Sequence, residues 1–411
     1  MDPQRLQISR QKLFSKLDKL SSIGATPEGG VRRLALSDED KLGRDQIVSW
    51  MTDLDLQVRI DQIGNIFGIR QGIEDIAPVM TGSHIDTVIN GGNLDGNLGV
   101  IAGLEIAHAL NCASIKTQRP FIIGVFTNEE GARFYPDMMG SLVYAGGFAL
   151  EEALNCKDRH SIELGAELKR IGYNGDMQCG SIIPHAFIEL HIEQGPVLEQ
   201  ENITIGVVEN LQGISWTEIE IRGQANHAGT TPMHLRKDAG YCAAKINTFV
   251  HDMALEFGGG QVATVGTTEI KPSVINVVPG FTKLTVDLRN ADNDLLIKAE
   301  KKLDQLLKSL EDTEGVTITS QRLARFNPVV FDPTIVETIE KNADMMALTH
   351  LRMTSGAGHD AQMMARICPT AMIFIPSING VSHNPAEATH PEDVLSGVNL
   401  LLQTALDLLQ N

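Results

Sequence analysis

Apolar residues recur along this chain with two different periods, and the changes of period divide it into blocks. Leu6, Leu13, Leu17 and Leu20 fall mainly at three- and four-residue steps, which predicts an opening helix ended by Gly24 and Pro27. Ser37 followed by Asp40 resembles a helix start, and Ile47, Trp50, Met51 and Leu54 form the apolar face of the helix it opens. Short strand-like runs come next, around Val58–Ile60 and Ile66–Ile69. From about residue 78 strands and helices alternate: Val79–Ile85, a helical Val100–Leu110, Phe121–Thr127, a helical region after Gly140, and Ala186–Ile192. That alternation predicts an α/β sheet with helices on its faces.

From about residue 205 the pattern changes. Ile219–Ile221, Val262–Val265, Val274–Val278 and Leu284–Leu288 read as strands, flanked by helices over Asp238–Phe257 and Leu295–Leu310. Strands in succession with two helices predict a small α+β domain with an antiparallel sheet. The α/β pattern then returns, with a helix near Ile335–Met346, the strand Ala371–Ile375 and a last helix from Glu392. One domain is therefore inserted into another: residues 1–210 with 326–411, a mixed sheet with flanking helices, and residues 211–325. A length of 411 residues agrees, because it exceeds what one ordinary core supports.

Composition narrows the partners. A hydrophobic fraction of 42% leaves a core large enough to hold a rigid site. The net charge of -18 argues against nucleic acid and against an anionic membrane surface, since both want a basic face. Five scattered cysteines with no C-x-x-C pair read as reduced thiols of a cytoplasmic protein. The polar N-terminus shows no export signal, and no apolar run approaches the ~20 residues of a membrane span.

Five short stretches carry candidate chemistry. Thr81-Gly-Ser-His-Ile-Asp places His84 and Asp86 at a strand exit, before a glycine-rich loop ending in Asp95. Two residues apart on a strand, His84 and Asp86 would share a face. The competing reading of this stretch is a polar turn capped by Asp95. Phe126-Thr-Asn-Glu-Glu-Gly ends a buried-looking run, where free carboxylates are costly without partners. A division of labour fits Glu129 and Glu130: one ligates a metal and the other takes a proton from water. His191 lies in an alternating strand, where a lone histidine is more often a satisfied core residue. Ser355-Gly-Ala-Gly-His-Asp and Gly380-Val-Ser-His-Asn-Pro-Ala-Glu contribute His359 and His383.

Each is weak singly. Together His84, Asp95, Glu130, His191 and His383 make three nitrogens and two carboxylates near strand ends, a set suited to two divalent ions, zinc, manganese or cobalt. In the inserted domain His227 lies in a loop after a strand, and Arg289 either clamps a substrate carboxylate or pairs with Asp287.

The stretches GSHIDTVINGGNLDG, TNEEGARF, ELHIEQGPVLE, NHAGTTPM, INVVPG, SGAGHDAQ and GVSHNPAE together resemble the hydantoinase/carbamoylase branch of the M20 metallopeptidase-like amidohydrolases, in order and over nearly the whole chain. The resemblance implies a catalytic α/β domain with two metal ions per subunit and an inserted lid domain that makes a homodimer. It implies that His84, Asp95 and His191 bind one ion, and Asp95, Glu130 and His383 the other. Asp86 would orient His84. Glu129 would be the base that deprotonates water and later protonates the leaving nitrogen. His227, supplied by the partner subunit in related enzymes, would stabilise the oxyanion. Asn276 and Arg289 would clamp the substrate carboxylate, while Gln194, Gly358 and His359 would line the pocket. The peptidase branch usually has an acidic residue where His191 stands.

The same resemblance implies a ureido or carbamoyl carboxylate as substrate. Carbamoyl-amino-acid enzymes tend to carry an apolar residue where this chain has Gly213-Ile214-Ser215-Trp216, and the allantoate type places a glutamine near Ile214. Isoleucine leaves a second ureido group unpaired, at a cost of ~1–3 kcal/mol. The expected activity is hydrolysis of N-carbamoyl-L-amino acids. The stretches NGGNLDG and IPSINGVSHNPAE look rather like the allantoate type, so allantoate hydrolysis is the alternative. An N-acyl-amino-acid deacylase or peptidase ranks after these, and a non-catalytic scaffold is disfavoured by the complete ligand set.

Overall fold

The computed structural model of the chain describes residues 6–410. Met1–Arg5, on which part of the polar N-terminal expectation falls, and Asn411 lie outside the described residues. Backbone contacts divide the chain into two units, Met1–Glu209 with Phe331–Asn411, and Asn210–Val330. The return crossing falls a few residues later than expected, because the strand Thr317–Phe326 runs on and Val329–Val330 pairs with Asn210–Leu211.

The first unit is built on a nine-stranded mixed sheet. From one edge the order is Gln57–Ile60, Ile66–Arg70, Phe121–Phe126, Val79–His84, Ala186–Ile192, Thr370–Ile375 and Ile205–Leu211, and both Val329–Val330 and His350–Ser355 pair with the last of these. The four central strands are mutually parallel, and their neighbours on either side run antiparallel. Every residue of these four strands is buried, as a parallel sheet covered on both faces requires. His191 therefore sits in a strand buried throughout rather than in the alternating one expected.

The helix Asn97–Cys112 covers one face closely. A side chain at Gly99 would meet the Leu190 carbonyl at 2.8 Å, and one at Gly103 would meet Ile123 at 3.0 Å. The helix Pro391–Gln410 packs on the Ala186–Ile192 and Thr370–Ile375 strands and also against the helix Pro333–Met345. The opening helix starts at Arg10 rather than Leu6, and Ser37 caps the helix Asp38–Asp53 by accepting the Asp40 N–H. On the buried face of this helix the fully buried Arg44 donates Nε to Asp40 at 2.7 Å and Nη1 to the Gly64 carbonyl at 2.7 Å.

The second unit is a four-stranded antiparallel sheet, ordered Thr317–Phe326, Gly213–Arg222, Phe281–Asn290, Val262–Lys271. Helices Ala239–Phe257 and Asn293–Glu314, capped by Asp238 and Asp292, bury Ile219, Ile221, Leu284, Val286 and Leu288 on one face. Alternation sends Ile214, Trp216, Asp287 and Arg289 to the other face, where Ile214 lies directly opposite Arg289 and Trp216 opposite Asp287. Two expectations fail in this unit. The strand expected over Val274–Val278 is only Val277–Val278, since Val274 and Ile275 are exposed with no partner strand among the described residues. His227 belongs to the short pair Asn226–His227 on Val277–Val278 rather than to a loop. Among the described residues, no helix is long and apolar enough to cross a membrane.

Candidate functional site

The carboxyl ends of the parallel strands converge, and such ends are where open α/β sheets build sites. His84 ends its strand and His191 stands one residue before the end of the neighbouring one. Glu129 and Glu130 follow the strand Phe121–Phe126, and His383 follows the strand Thr370–Ile375. Asp95 precedes the helix Asn97–Cys112, whose N-cap Gly96 has φ 67°. Only glycine fits there, because a Cβ would lie 2.4 Å from His84 Nε2.

Asp95 is shared by two groups of potential ligands, His84–Asp95–His191 and Asp95–Glu130–His383. Its Oδ1 is 3.1 Å from His191 Nε2 and 3.8 Å from His84 Nε2. Its Oδ2 is 3.2 Å from His383 Nε2, which in turn is 3.4 Å from Glu130 Oε2. Two ligands each about 2.1 Å from one tetrahedral ion stand roughly 3.4 Å apart, so these gaps have the right size.

Hydrogen bonds set the tautomers. His84 Nδ1 donates to the Asp86 carbonyl at 2.8 Å, and His191 Nδ1 donates to the Ile192 carbonyl at 2.9 Å. In the neutral form of each ring the bond puts the proton on Nδ1 and leaves the Nε2 lone pair facing Asp95, the arrangement a ligating imidazole needs. Asp86 thus steers His84 through its main chain, because the strand ends at His84 and the two residues do not share a strand face. The Asp86 carboxylate turns instead to the glutamate loop, accepting the Glu129 N–H at 3.2 Å and the Glu130 N–H at 3.3 Å.

Buried charge is concentrated here. Burial drives the Glu129 and Glu130 carboxyls well above the usual range, reinforced by Asp360 and Asp95 respectively. Burial pulls His84 down to about 4. For His191 burial alone would lower the pKa, but Asp95 and Glu189 lift it to about 9. Glu130 Oε1, Gln194 Oε1 and His359 Nε2 are buried with no hydrogen-bond partner among the described residues. Buried unpaired acceptors next to three imidazoles fit a divalent cation, which supplies the missing positive charge. The residues present therefore suit the metals implied by the sequence.

Glu129 belongs to neither group, and its Oε2 is 3.4 Å from His84 Nε2. Gln194 donates Nε2 to Asp95 Oδ2 at 2.9 Å. His359 is buried against His191, with ring centroids 4.4 Å apart, and Gly358 precedes it beside Met138. In the second unit the exposed His227 accepts the Gly229 N–H on Nδ1 at 3.0 Å, which leaves Nε2 as an N–H donor. Asn276 is exposed, and its carbonyl accepts the Ala228 N–H at 2.9 Å. Arg289 Nη2 bonds Asp287 at 2.9 Å, one of the two partners weighed from the sequence.

Sequence reasoning missed three carboxylates. Glu189 accepts from Ser83 Oγ at 2.6 Å and from the Ala361 N–H at 2.8 Å. Asp360 accepts from Ser141 Oγ at 2.6 Å. Glu387 accepts from the Leu94 and Asp95 N–H groups, each at 3.2 Å. Glu189 had a signal, a lone acid inside the apolar run Ile188–Ile192.

The chain is similar to known proteins over nearly its whole length. A family model described as "Peptidase family M20/M25/M40" matches residues 80–407. The N-carbamoyl-L-amino-acid amidohydrolase of Rhizobium meliloti is 39% identical, over 98% of this chain and 97% of its own. The allantoate amidohydrolase of Escherichia coli (strain K12) is 36% identical, over 95% of this chain and 96% of its own. A solved amidase of the hydantoinase/carbamoylase family from Burkholderia multivorans superposes with a TM-score of 0.96 at 42% identity, covering 99% of both chains.

Proposed function

The chain belongs to peptidase family M20/M25/M40, as a hydantoinase/carbamoylase-type hydrolase of non-peptide C–N bonds, and from that premise we propose that it hydrolyses N-carbamoyl-L-amino acids at a centre of two divalent metal ions. One observation carries the reading: a single buried carboxylate, Asp95, is common to two ligand groups, with the non-ligating Glu129 beside them.

His84, Asp95 and His191 would hold one ion, and Asp95, Glu130 and His383 the other. Bound there, such ions supply Lewis acidity and make water acidic enough to deprotonate near neutral pH. Glu129 takes a proton from the attacking water, and the oxygen adds to the ureido carbonyl. The His227 Nε2–H donates to the carbonyl oxygen as it gains charge. The bond between that carbon and the amino-acid nitrogen breaks, with Glu129 returning the proton to the nitrogen. The products are the L-amino acid and carbamic acid, which decays to ammonia and carbon dioxide. Asn276 and Arg289 bind the substrate carboxylate, the arginine by its two-pronged guanidinium. The subunit works as a homodimer in the cytoplasm.

Ile214 supports the substrate choice. It is 7% exposed and lies between Arg289 and Phe326 on the adjoining strands, so the neighbourhood of the arginine is apolar there. Allantoate has a second ureido group that would meet this side chain without a partner. The experiment is ammonia release from a panel of N-carbamoyl-L-amino acids and from allantoate, with enzyme reconstituted separately with zinc, manganese and cobalt. Turnover of the carbamoyl amino acids with allantoate inert supports the assignment. Turnover of allantoate alone overturns it and leaves the two-metal chemistry standing.

A further inference from the structure

We propose that Glu387 is a positioning residue that sets the place of Asp95, by clamping the loop that carries Asp95 to the loop that carries His383. The proposal rests on the two-metal reading above, since it concerns the carboxylate common to both ligand groups. Glu387 itself belongs to neither group.

Asp95 ends a glycine-rich segment with no regular structure to hold it; the helix begins only at Asn97. Its main chain is fixed from outside. Glu387 Oε1 accepts the N–H groups of both Leu94 and Asp95 at 3.2 Å, and Oε2 accepts from Ser382 Oγ at 2.8 Å. Ser382 adjoins His383 in sequence and also accepts from Gln194 Nε2 at 3.3 Å, the same amide nitrogen that reaches Asp95 Oδ2 at 2.9 Å. One buried carboxylate, 6% exposed, thus links the main chain of the shared ligand to the loop of a ligand unique to one group. A carboxylate suits this work because it accepts several hydrogen bonds at once and offers no competing donor.

The glycine opposite shows how closely the segment is fitted. A Cβ on Gly92 would lie 2.2 Å from Glu387 Oε1, so the absence of a side chain there is what lets the carboxylate reach the two N–H groups. Gly92 does not have a positive φ, and the three nearest atoms that an alanine Cβ would meet all belong to Glu387, its Oε1, Cδ and Cβ at 2.2, 2.3 and 2.4 Å. Two independent perturbations therefore address the same contact. Glu387→Met removes the acceptor at nearly constant shape. Gly92→Ala keeps the glutamate and displaces it.

The test is titration of chelator-stripped protein with cobalt(II) against a competing chelator, read by the visible absorption of the bound ion. Wild-type protein is expected to take up two equivalents. Both Glu387→Met and Gly92→Ala should bind the more weakly held equivalent about 10–100-fold less tightly, the usual effect of losing a residue that orients a ligand. Both should also change the band shape, because Asp95 reports its placement in the ligand field. Glu387→Gln keeps an acceptor and should restore most of the affinity and the wild-type spectrum, which a general loss of stability would not predict. If Glu387→Met does not fold, Gly92→Ala decides by the same readings. Wild-type affinity and spectrum in the displaced variant would overturn the proposal. Uptake of fewer than two equivalents by wild-type protein would instead overturn the two-metal reading, and the clamp with it.

Discussion

Replacing Glu129 by glutamine removes one proton acceptor and little else. The side chain keeps its shape, and the Asp86 carboxylate keeps its hold on the residue-129 N–H at 3.2 Å. Neither ligand group contains Glu129, so every potential ligand in both groups remains. What disappears is a carboxylate at 8% exposure whose Oε2 stands 3.4 Å from His84 Nε2, close enough to the donors to exchange a proton with water bound among them. A positioned general base contributes about 10²–10⁴-fold, equivalent to roughly 3–5 kcal/mol of barrier at ~1.4 kcal/mol per factor of ten. The assay is ammonia release at saturating N-carbamoyl-L-amino acid, with metal content measured on the same preparation. The expected result is a kcat lower by about 10²–10⁴-fold, with KM and metal content close to wild type. A variant with near wild-type kcat and full metal content would refute the assignment of Glu129 as the base.

Three further substitutions probe other parts of the structure. Arg289→Ala should lower kcat/KM for carboxylate substrates by about 10–100-fold, mainly through KM, because a charge-assisted bond worth ~1.5–3 kcal/mol is lost; an unchanged KM would count against the clamp. Arg44→Met leaves the Asp40 carboxylate buried without its cation, so urea unfolding should show a loss of about 3–5 kcal/mol, and a loss under 1 kcal/mol would contradict that reading. Burial alone would raise the Glu167 carboxyl, but hydrogen bonds from Arg170 and Arg133 hold it below its ordinary value. Its folded pKa thus lies below the unfolded one, so the stabilisation is present above the unfolded value and is lost as pH falls through the folded one. Glu167→Gln should accordingly show a shallower loss of stability than wild type as the pH falls through and below the ordinary glutamate value, and equal slopes would contradict the ion-pair account.

Much of this architecture was legible because its signals are local. Buried apolar runs marked the central strands, Ser37 and Asp40 marked a helix start, and charged side chains at the ends of such runs drew attention to His84 and Glu130, whereas His191, inside its run, read singly as a core histidine. What stayed hidden depends on hydrogen bonds between distant segments. Nothing in the sequence tells that the Asp86 carboxylate turns to the Glu129 and Glu130 main chain while its carbonyl turns to His84. Glu387 ends the stretch quoted for His383 and drew no reading of its own, although two N–H groups nearly three hundred residues away bond to it. Val274 and Ile275 have strand-like side chains, but a strand needs a partner and only Val277–Val278 finds one. Arg289 was evenly balanced between substrate and Asp287, and the ion pair with Asp287 leaves a carboxylate substrate to compete with it for the guanidinium.

The central claim is that Asp95 joins two metal ions into one hydrolytic centre. Its most direct test is to strip the protein with chelator and add zinc, manganese or cobalt in measured equivalents, following bound metal and ammonia release from an N-carbamoyl-L-amino acid together. The account predicts no turnover in the stripped protein and full activity only as the second equivalent binds. Full activity with no metal, or saturation at a single equivalent, would contradict it.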